Sequence, residues 1–470
     1  MPHPDSPQPP PWRGDAIPEQ GLLTPLRHRD FRLLAGGALV SLLGDGVFRV
    51  TIAVQVLAVR NDPRALSLVA ASWALAQFVT LPAGGWAADR YDRRTLMVVA
   101  DLVRAGALAV LAALSLNGVL ELWHLCVLGA LIGTANGLFN PTATSFLPDL
   151  IPAASIERAN ALLGVARPAM LWIVGPTLGA AVIGWGGPGA ALGLDAATFL
   201  VSAALLLAIA SGRAPAVSGA EARKTLSALA DGVEFVRRRR WAWAWITAGG
   251  LSTMVHSGAF EVLLPTLLAN DLAYGEAAVA RALAAAFAAG GLGSVAASTL
   301  LGQRGLPRRF MTVLFGAEAL ALLVMAGFAT VRATWHVAVL GFAVFTLFAV
   351  TDVIGTTLLQ RLVPRRLLGR VASMDWMASI GLAPVGFAVA GPLAVAVGPR
   401  TAIAVMGLVG FAAVGALARL PRVLSTERAG ALRDLTPDDE RTADTPRGGR
   451  GATRGAPAEV ATLGEGAPGD

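Results

Sequence analysis

The chain is poor in most of what soluble enzymes use. Its 470 residues include one cysteine, two tyrosines, five histidines and one lysine, Lys224. A lone cysteine, Cys126, set in an apolar run, excludes an intrachain disulfide and a cysteine metal site. The histidines are scattered, and neither H-E-x-x-H, a metal triad nor a nucleophile elbow occurs, so no enzyme activity, metal or cofactor is expected. G-x-x-x-x-G-K-[ST] is also missing, which excludes ATP as the direct energy source. Charged side chains make up 15% of the chain, against about 25% in soluble domains, and the deficit argues for a lipid solvent. Residues 1–20 are proline-rich and polar, without a secretory h-region or cleavage site, so the first apolar segment is expected to stay in the membrane.

What the chain does have is apolar length. Twelve segments stand out, at about 32–58, 65–88, 95–116, 122–146, 160–184, 189–211, 242–268, 277–302, 310–331, 335–360, 371–397 and 400–420. Each is long enough to cross a hydrocarbon core of about 30 Å as a helix. In lipid, helix is the form that satisfies such a backbone internally. The expected fold is therefore all-α and integral to the membrane.

The formal charge of +7 lies mostly in arginines between these segments. Arg90, Arg93, Arg94, Arg158, Arg304, Arg308, Arg309, Arg361, Arg365, Arg366 and Arg370 fall in alternate short loops. Arg213, Arg223, Lys224 and Arg237 to Arg240 fall in a longer central one. The other set of loops holds Arg60, Arg64, Arg332 and Arg400. This asymmetry predicts a plasma-membrane protein with both termini cytoplasmic. It makes the Arg237–Arg240 run a leaflet anchor, with no nucleic-acid partner. The expected organisation is a disordered leader over 1–30, a six-helix bundle over 31–211, a cytoplasmic loop over 212–240, a second bundle over 241–421 and a disordered tail over 422–470.

The halves echo each other at an offset of 212 residues. Leu147-Pro148-Asp149-Leu150-Ile151-Pro152 aligns with Leu359-Gln360-Arg361-Leu362-Val363-Pro364. Arg158 then falls on Arg370, Thr144 on Thr356 and Asn140 on Asp352. Two parallel six-helix repeats follow.

The turn Gly85-Trp86-Ala87-Ala88-Asp89-Arg90-Tyr91-Asp92-Arg93-Arg94 joins the second and third segments. Its spacing, G-x-x-x-D-R-x-D-R-R, resembles the loop between helices 2 and 3 of the major facilitator superfamily. A degraded copy, lacking the aspartate, runs from Gly302 to Arg309. Gly175, Pro176 and Gly179 resemble the helix 5 motif of antiporter members, with a weaker echo at Gly391-Pro392. Phe139-Asn140-Pro141-Thr142-Ala143, Leu147-Pro148-Asp149-Leu150, Ala159-Asn160-Ala161-Leu162 and Asp195-Ala196-Ala197-Thr198-Phe199 resemble the branch holding macrolide efflux proteins and the enterobactin exporter. The resemblance covers residues 25–420 and implies the major facilitator fold and alternating access. It also implies an inner gate built on Asp89, which would face the start of helix 11. In that gate Arg90, Asp92, Arg93 and Arg94 would bridge to nearby acids, with Asp101 and Arg104 of helix 3 and Asp375 of helix 11 as candidate partners. The arginine often found within helix 4 of proton-coupled drug antiporters is missing; Thr134, Asn136 and Asn140 are the polar residues there.

Charges inside a spanning helix are costly and point to bundle interiors or water cavities. Asp45 lies between Gly44 and Gly46 near the middle of helix 1, with Arg49 one turn on. Either the two form an i,i+4 ion pair, or Asp45 is a proton or substrate site that Arg49 tunes. His256 and Glu261 fall in helix 7, where Glu261 could carry a proton. Arg167 in helix 5 is a candidate anion contact or a counter-ion for Asp45 or Glu261. Asp352 in helix 10 lies nearer the inner side, and Glu318 in helix 9 reads as structural.

The expected activity is proton-driven export of a small amphipathic molecule, in the manner of a drug, macrolide or siderophore antiporter, by a monomer. An importer or facilitator of a metabolite is the alternative, and a membrane enzyme or receptor a remote one.

Overall fold

The structure, a computed structural model, describes residues 23–210, 233–363, 365–421 and 423–424. The tail, most of the leader and most of the central loop lie outside the described residues. At the edges of these segments, Thr24–Arg27 forms a 3₁₀ turn, α1 begins at Arg29, inside the expected leader, and residues 233–238 are helical.

Among the described residues every regular element is helical. Eleven helices are long and apolar enough to cross a membrane, and one of them, Ser155–Leu207, is 53 residues long. At 1.5 Å per residue that one is more than twice the length a single crossing of about 30 Å needs. Gly187 divides it, with φ 75° and ψ 177°, a conformation an L side chain resists, and Pro188 follows. Twelve crossings result.

They run as α1 (Arg29–Val59), α2 (Pro63–Arg90), α3 (Arg93–Leu116) and α4 (Leu122–Leu150). Next, α5 comprises Ala153–Pro168, a π-helical turn Ala169–Val174 and the part of Gly175–Leu207 before Gly187, while α6 is 188–207. In the second half α7 comprises Arg240–His256, a π-helical turn Ser257–Leu263 and Leu264–Asn270. The rest are α8 (Glu276–Arg304), α9 (Phe310–Gly327), α10 (Thr334–Leu362), α11 (Arg365–Val397) and α12 (Pro399–Ala418).

Local chemistry sets the turns. Asp62 accepts from the Arg64 amide and Pro63 takes the first position of α2, where its missing N–H costs nothing. Asp92 starts α3 by accepting from the Thr95 amide at 2.9 Å and the Thr95 hydroxyl at 2.6 Å. Gly398, at φ 83°, turns α11 into α12.

Packing repeats between the halves. In the first half α2 lies on α4 and α3 on α6; in the second α8 lies on α10 and α9 on α12. Small residues permit the closest crossings. A β-carbon on Gly46 would come within 2.9 Å of the Gly175 α-carbon, and one on Gly258, 212 residues later, within 2.7 Å of the Gly386 carbonyl. The α1–α5 crossing thus recurs as α7–α11. The counterpart of Gly175 is Gly386, not the Gly391 suggested by the Gly-Pro echo.

The halves meet through α2 with α11 and α5 with α8, pairs that exchange under the repeat. Their contacts run from mid-height, where Phe78 packs on Gly381, to the face opposite the Arg93–Arg94 turn. There the Gly391 amide donates to Ser67 Oγ at 2.7 Å.

Candidate functional site

A cavity of about 1240 Å³ lies between the halves. Toward the arginine-rich face its wall is exposed, at Thr144, Ala372 and Ser373; toward the other face it is buried, at Ala53, Leu66 and Val69. Its middle carries Asp45, Arg49, Arg104, Arg167, Asp195 and Glu261 among Trp73, Phe139, Trp172, Phe199 and Trp376.

Two π-helical turns shape the wall at mid-height. Pro176 has no N–H for the carbonyl of Trp172, four residues earlier, and Pro265 has none for that of Glu261. The ladder loosens in the turn before each proline, presenting Trp172 from α5 and Glu261 from α7. Arg49 of α1 meets both. Its Nη1 donates to Glu261 Oε1 at 3.1 Å, and its guanidinium lies 4.5 Å from the Trp172 ring centroid. His256 Nε2 stands 3.9 Å from the same carboxylate oxygen, and its ring stacks on Phe260 at 5.1 Å. Arg49 Nε and His256 Nδ1 are buried without partners.

Of the two readings of Asp45 and Arg49, the i,i+4 ion pair is therefore not the one formed. The guanidinium crosses to the Glu261 carboxylate of the other half and lies on the Trp172 indole of its own. Nor does Arg167 act as a counter-ion: Glu261 is already engaged, and Arg167 stands exposed on the cavity wall without an ion pair among the described residues. Asp352 does not line the cavity; it lies near Asp375 and near Glu318, which is buried beside Ser252 and Thr351.

The second polar wall belongs to the first half. Arg104 and Asp101 of α3 form an ion pair, both fully buried. Arg104 Nη1 also donates to Asn136 Oδ1 at 3.0 Å, and Ser202 Oγ donates to Asp101 Oδ2 at 2.7 Å. The guanidinium lies between the rings of Phe139 and Phe199, at 4.3 and 4.2 Å. The resemblance offers Asp101 to the loop arginines as a gate partner. Here Arg104, Ser202 and burial deep in α3 consume it. A guanidinium does reach α4, at Asn136, but from α3.

The basic turn itself works mainly on carbonyls. Arg93 donates to the Ser145 carbonyl at 3.0 Å and to Asp149 Oδ2 at 2.6 Å. Arg94 donates to the carbonyls of Leu206 and Leu207, which end α6. Arg90 stacks on Trp86, and Asp92 is a helix cap. These arginines thus tie α3 to the ends of α4 and α6 within one half. None pairs with Asp375 among the described residues. The Asp89 side chain lies outside what the structure describes. Gly85 packs against nothing within 4 Å, whereas Gly175 and Gly179 hold α5 against α1 at Gly46 and Val47.

Asp195 escapes the sequence reading as a site residue because it registers there only within a family motif. An acid inside an apolar span is signal enough.

The model of the Major Facilitator Superfamily matches residues 34–379. The chain belongs to that superfamily. Among relatives, it is 30% identical over 313 residues to the uncharacterized MFS-type transporter y4rN of Sinorhizobium fredii, covering 63% of this chain and 72% of that one. It is 26% identical over 398 residues to the enterobactin exporter EntS of Citrobacter koseri, covering 84% and 92%. The match to the uncharacterized MFS-type transporter YfiS of Bacillus subtilis, at 30% identity, covers 42% of this chain and spans about half of that protein, 47%. Two solved structures share the fold. The nucleoside transporter NupG superposes with a TM-score of 0.61 at 13% identity, covering 83% of this chain and 98% of that one. A POT family transporter in complex with 5-aminolevulinic acid superposes with 0.66 at 13%, covering 87% and 99%. The chain is thus a multi-span membrane protein of a transporter superfamily.

Proposed function

We propose that this superfamily member is a secondary active transporter that works by alternating access and exports a small amphipathic molecule, driven by a proton gradient. The observation that carries this reading is the cavity between the halves, open at the arginine-rich face and closed at the other by Arg49–Glu261 and Ser67–Gly391. Binding at a repeat interface near the midplane suits rocking of one half against the other. The cavity exceeds the roughly 300–1,000 Å³ of sites for drug-sized ligands, so a bulky cargo fits. Its walls offer aromatic faces, amides and charges of both signs, as an amphipathic cargo requires. The similarity to an enterobactin exporter supports the outward direction. The arginine asymmetry supports cytoplasmic termini in the plasma membrane. We read the protein as a monomer of two six-helix bundles, with boundaries at 31–211 and 241–421.

The test is uptake of a panel of dyes, macrolides and catecholate siderophores into inverted membrane vesicles. Accumulation that collapses with a protonophore supports the reading. Accumulation indifferent to the protonophore and to Asp45→Asn with Glu261→Gln contradicts proton coupling through those residues. Entry into whole cells down the cargo's gradient contradicts export.

A further inference from the structure

The cavity wall of the first half holds Asp45 of α1, Arg104 of α3 and Asp195 of α6, with Asp101 of α3 behind it; Asp45 lies in electrostatic range of the other three. Arg104 is committed to Asp101 and Asn136. The second nearby cation, Arg49 of α1, is committed to Glu261. Asp45 and Asp195 thus share a low-dielectric wall with no cation of their own, and two bare negative charges there repel each other and lack solvent.

Asp195 is 1% exposed, and its Oδ2 is fully buried with no hydrogen-bond partner. Its Oδ1 faces Thr198 Oγ1 at 3.4 Å. A side chain at Gly44 would overlap both Asp195 Oδ1 and Thr198 Oγ1, so the glycine lets the α1 backbone lie directly on the acid. Asp45, next in the chain, is half-buried and faces the cavity. Both carboxyls thus border the cavity, Asp195 almost fully buried and Asp45 the more exposed. Among the described residues no three His, Cys, Asp or Glu side chains converge closely enough to ligate a metal ion. The cation that suits an orphaned carboxylate oxygen with no room around it is a proton.

We propose that Asp195 and Asp45 form the proton-binding site of this protein: a proton resides on the buried Asp195 carboxyl and exchanges with cavity water through Asp45. An O–H bond forms on a carboxylate oxygen on loading and breaks on release, with no other chemistry. Both acids belong to the same half, so rocking changes which side of the membrane Asp45 sees while leaving the pair intact. Coupling to cargo rests on the transport reading above; occupancy of the site does not.

Infrared spectra of the full chain in lipid nanodiscs at neutral pH test this without cargo. The wild-type protein is expected to show the C=O stretch of a neutral buried carboxylic acid. That band should lose intensity in Asp195→Asn, shift or shrink in Asp45→Asn, and stay unchanged in Glu276→Gln, an exposed acid at the start of α8; any part that remains in Asp195→Asn should vanish with Glu318→Gln, another buried acid. A wild type without the band, a band of undiminished intensity in both aspartate variants, or a band removed by sodium at constant pH overturns the proposal. Should Asp195→Asn not fold, Asp45→Asn carries the test, because its side chain faces open cavity. If the band behaves as expected and no cargo moves in vesicles, the site stands and the transport reading fails.

Discussion

Arg49 and Glu261 occupy the same position in the two repeats, 212 residues apart, and pair with each other across the boundary between the halves. The repeat carries an arginine in one copy and a glutamate in the other, so the pseudo-symmetry axis is closed by an ion pair. Each side chain is about one-quarter exposed, 25% and 26%, which sets the bond between a surface pair and a buried one. Surface pairs contribute about 0–1 kcal/mol, whereas breaking a buried pair costs about 3–5 kcal/mol.

Arg49→Ala and Glu261→Gln should therefore each lower the stability of this conformation by about 2 kcal/mol, between those limits. Each should also cut vesicle transport at least about tenfold, the factor that corresponds to 1.4 kcal/mol. The exchange Arg49→Glu with Glu261→Arg restores the pair and should recover part of both losses. Thermal unfolding in detergent and uptake, measured on all three variants, check this. Equal loss in the exchanged double variant would contradict a pairwise role.

Gly391 closes the face opposite the arginines. A β-carbon there would meet Ser67 Oγ at 2.6 Å and the Pro63 carbonyl at 2.7 Å. Gly391→Leu should hold α2 and α11 apart. In a Cys126→Ser background, a cysteine at Ala53, on the far cavity wall, should then react faster with a membrane-impermeant thiol reagent from that side. Unchanged reactivity would show that the contact does not seal the cavity.

Gly175 belongs to the motif that resembles antiporter members, and its place in the fold is steric. Its β-carbon would lie 2.6 Å from the Leu43 carbonyl and 2.7 Å from the Gly46 α-carbon. Gly175→Ala should cost about 1–3 kcal/mol through overpacking of α1 on α5. A lower unfolding temperature without a change in cargo preference is the expected outcome. An altered preference would mean that the motif contacts cargo.

The buried Asp101–Arg104 pair makes a graded prediction. Asp101→Ala leaves a guanidinium uncompensated and should cost about 3–5 kcal/mol. Ser202→Ala removes one hydrogen bond to a charged group and should cost about 1.5–3 kcal/mol. The yield of monodisperse protein and its unfolding temperature rank the two. A reversed order would place the weight of the cluster on Ser202.

The fold is legible in the sequence because each crossing needs about 20 apolar residues, a signal that survives any uncertainty about boundaries. The positive turns and the parallel repeat are legible for similar reasons. Side-chain partners are less so. Arg49 looks committed to Asp45 by the i,i+4 rule, but the π-helical turns that bring Trp172 and Glu261 to it depend on Pro176 and Pro265, whose effect reaches four residues back. Applying the 212 offset to the charges would have put Arg49 on Glu261. Asp101 and Arg104 are three apart on one helix, so the local rule alone suffices to pair them with each other. The loop arginines are expected to seek acids; Arg93 does find one, Asp149, but it also binds the Ser145 carbonyl, and Arg94 is taken by the carbonyls that end α6.

The most direct measurement is a pair of spin-label distances in the full chain, in a Cys126→Ser background. One pair, at Glu157 and Arg361, spans the arginine-rich face; the other, at Asn61 and Glu276, spans the opposite face. Alternating access predicts that on imposing a proton gradient with cargo the first distance shortens as the second lengthens. Both distances unchanged, or both moving in the same direction, would contradict it.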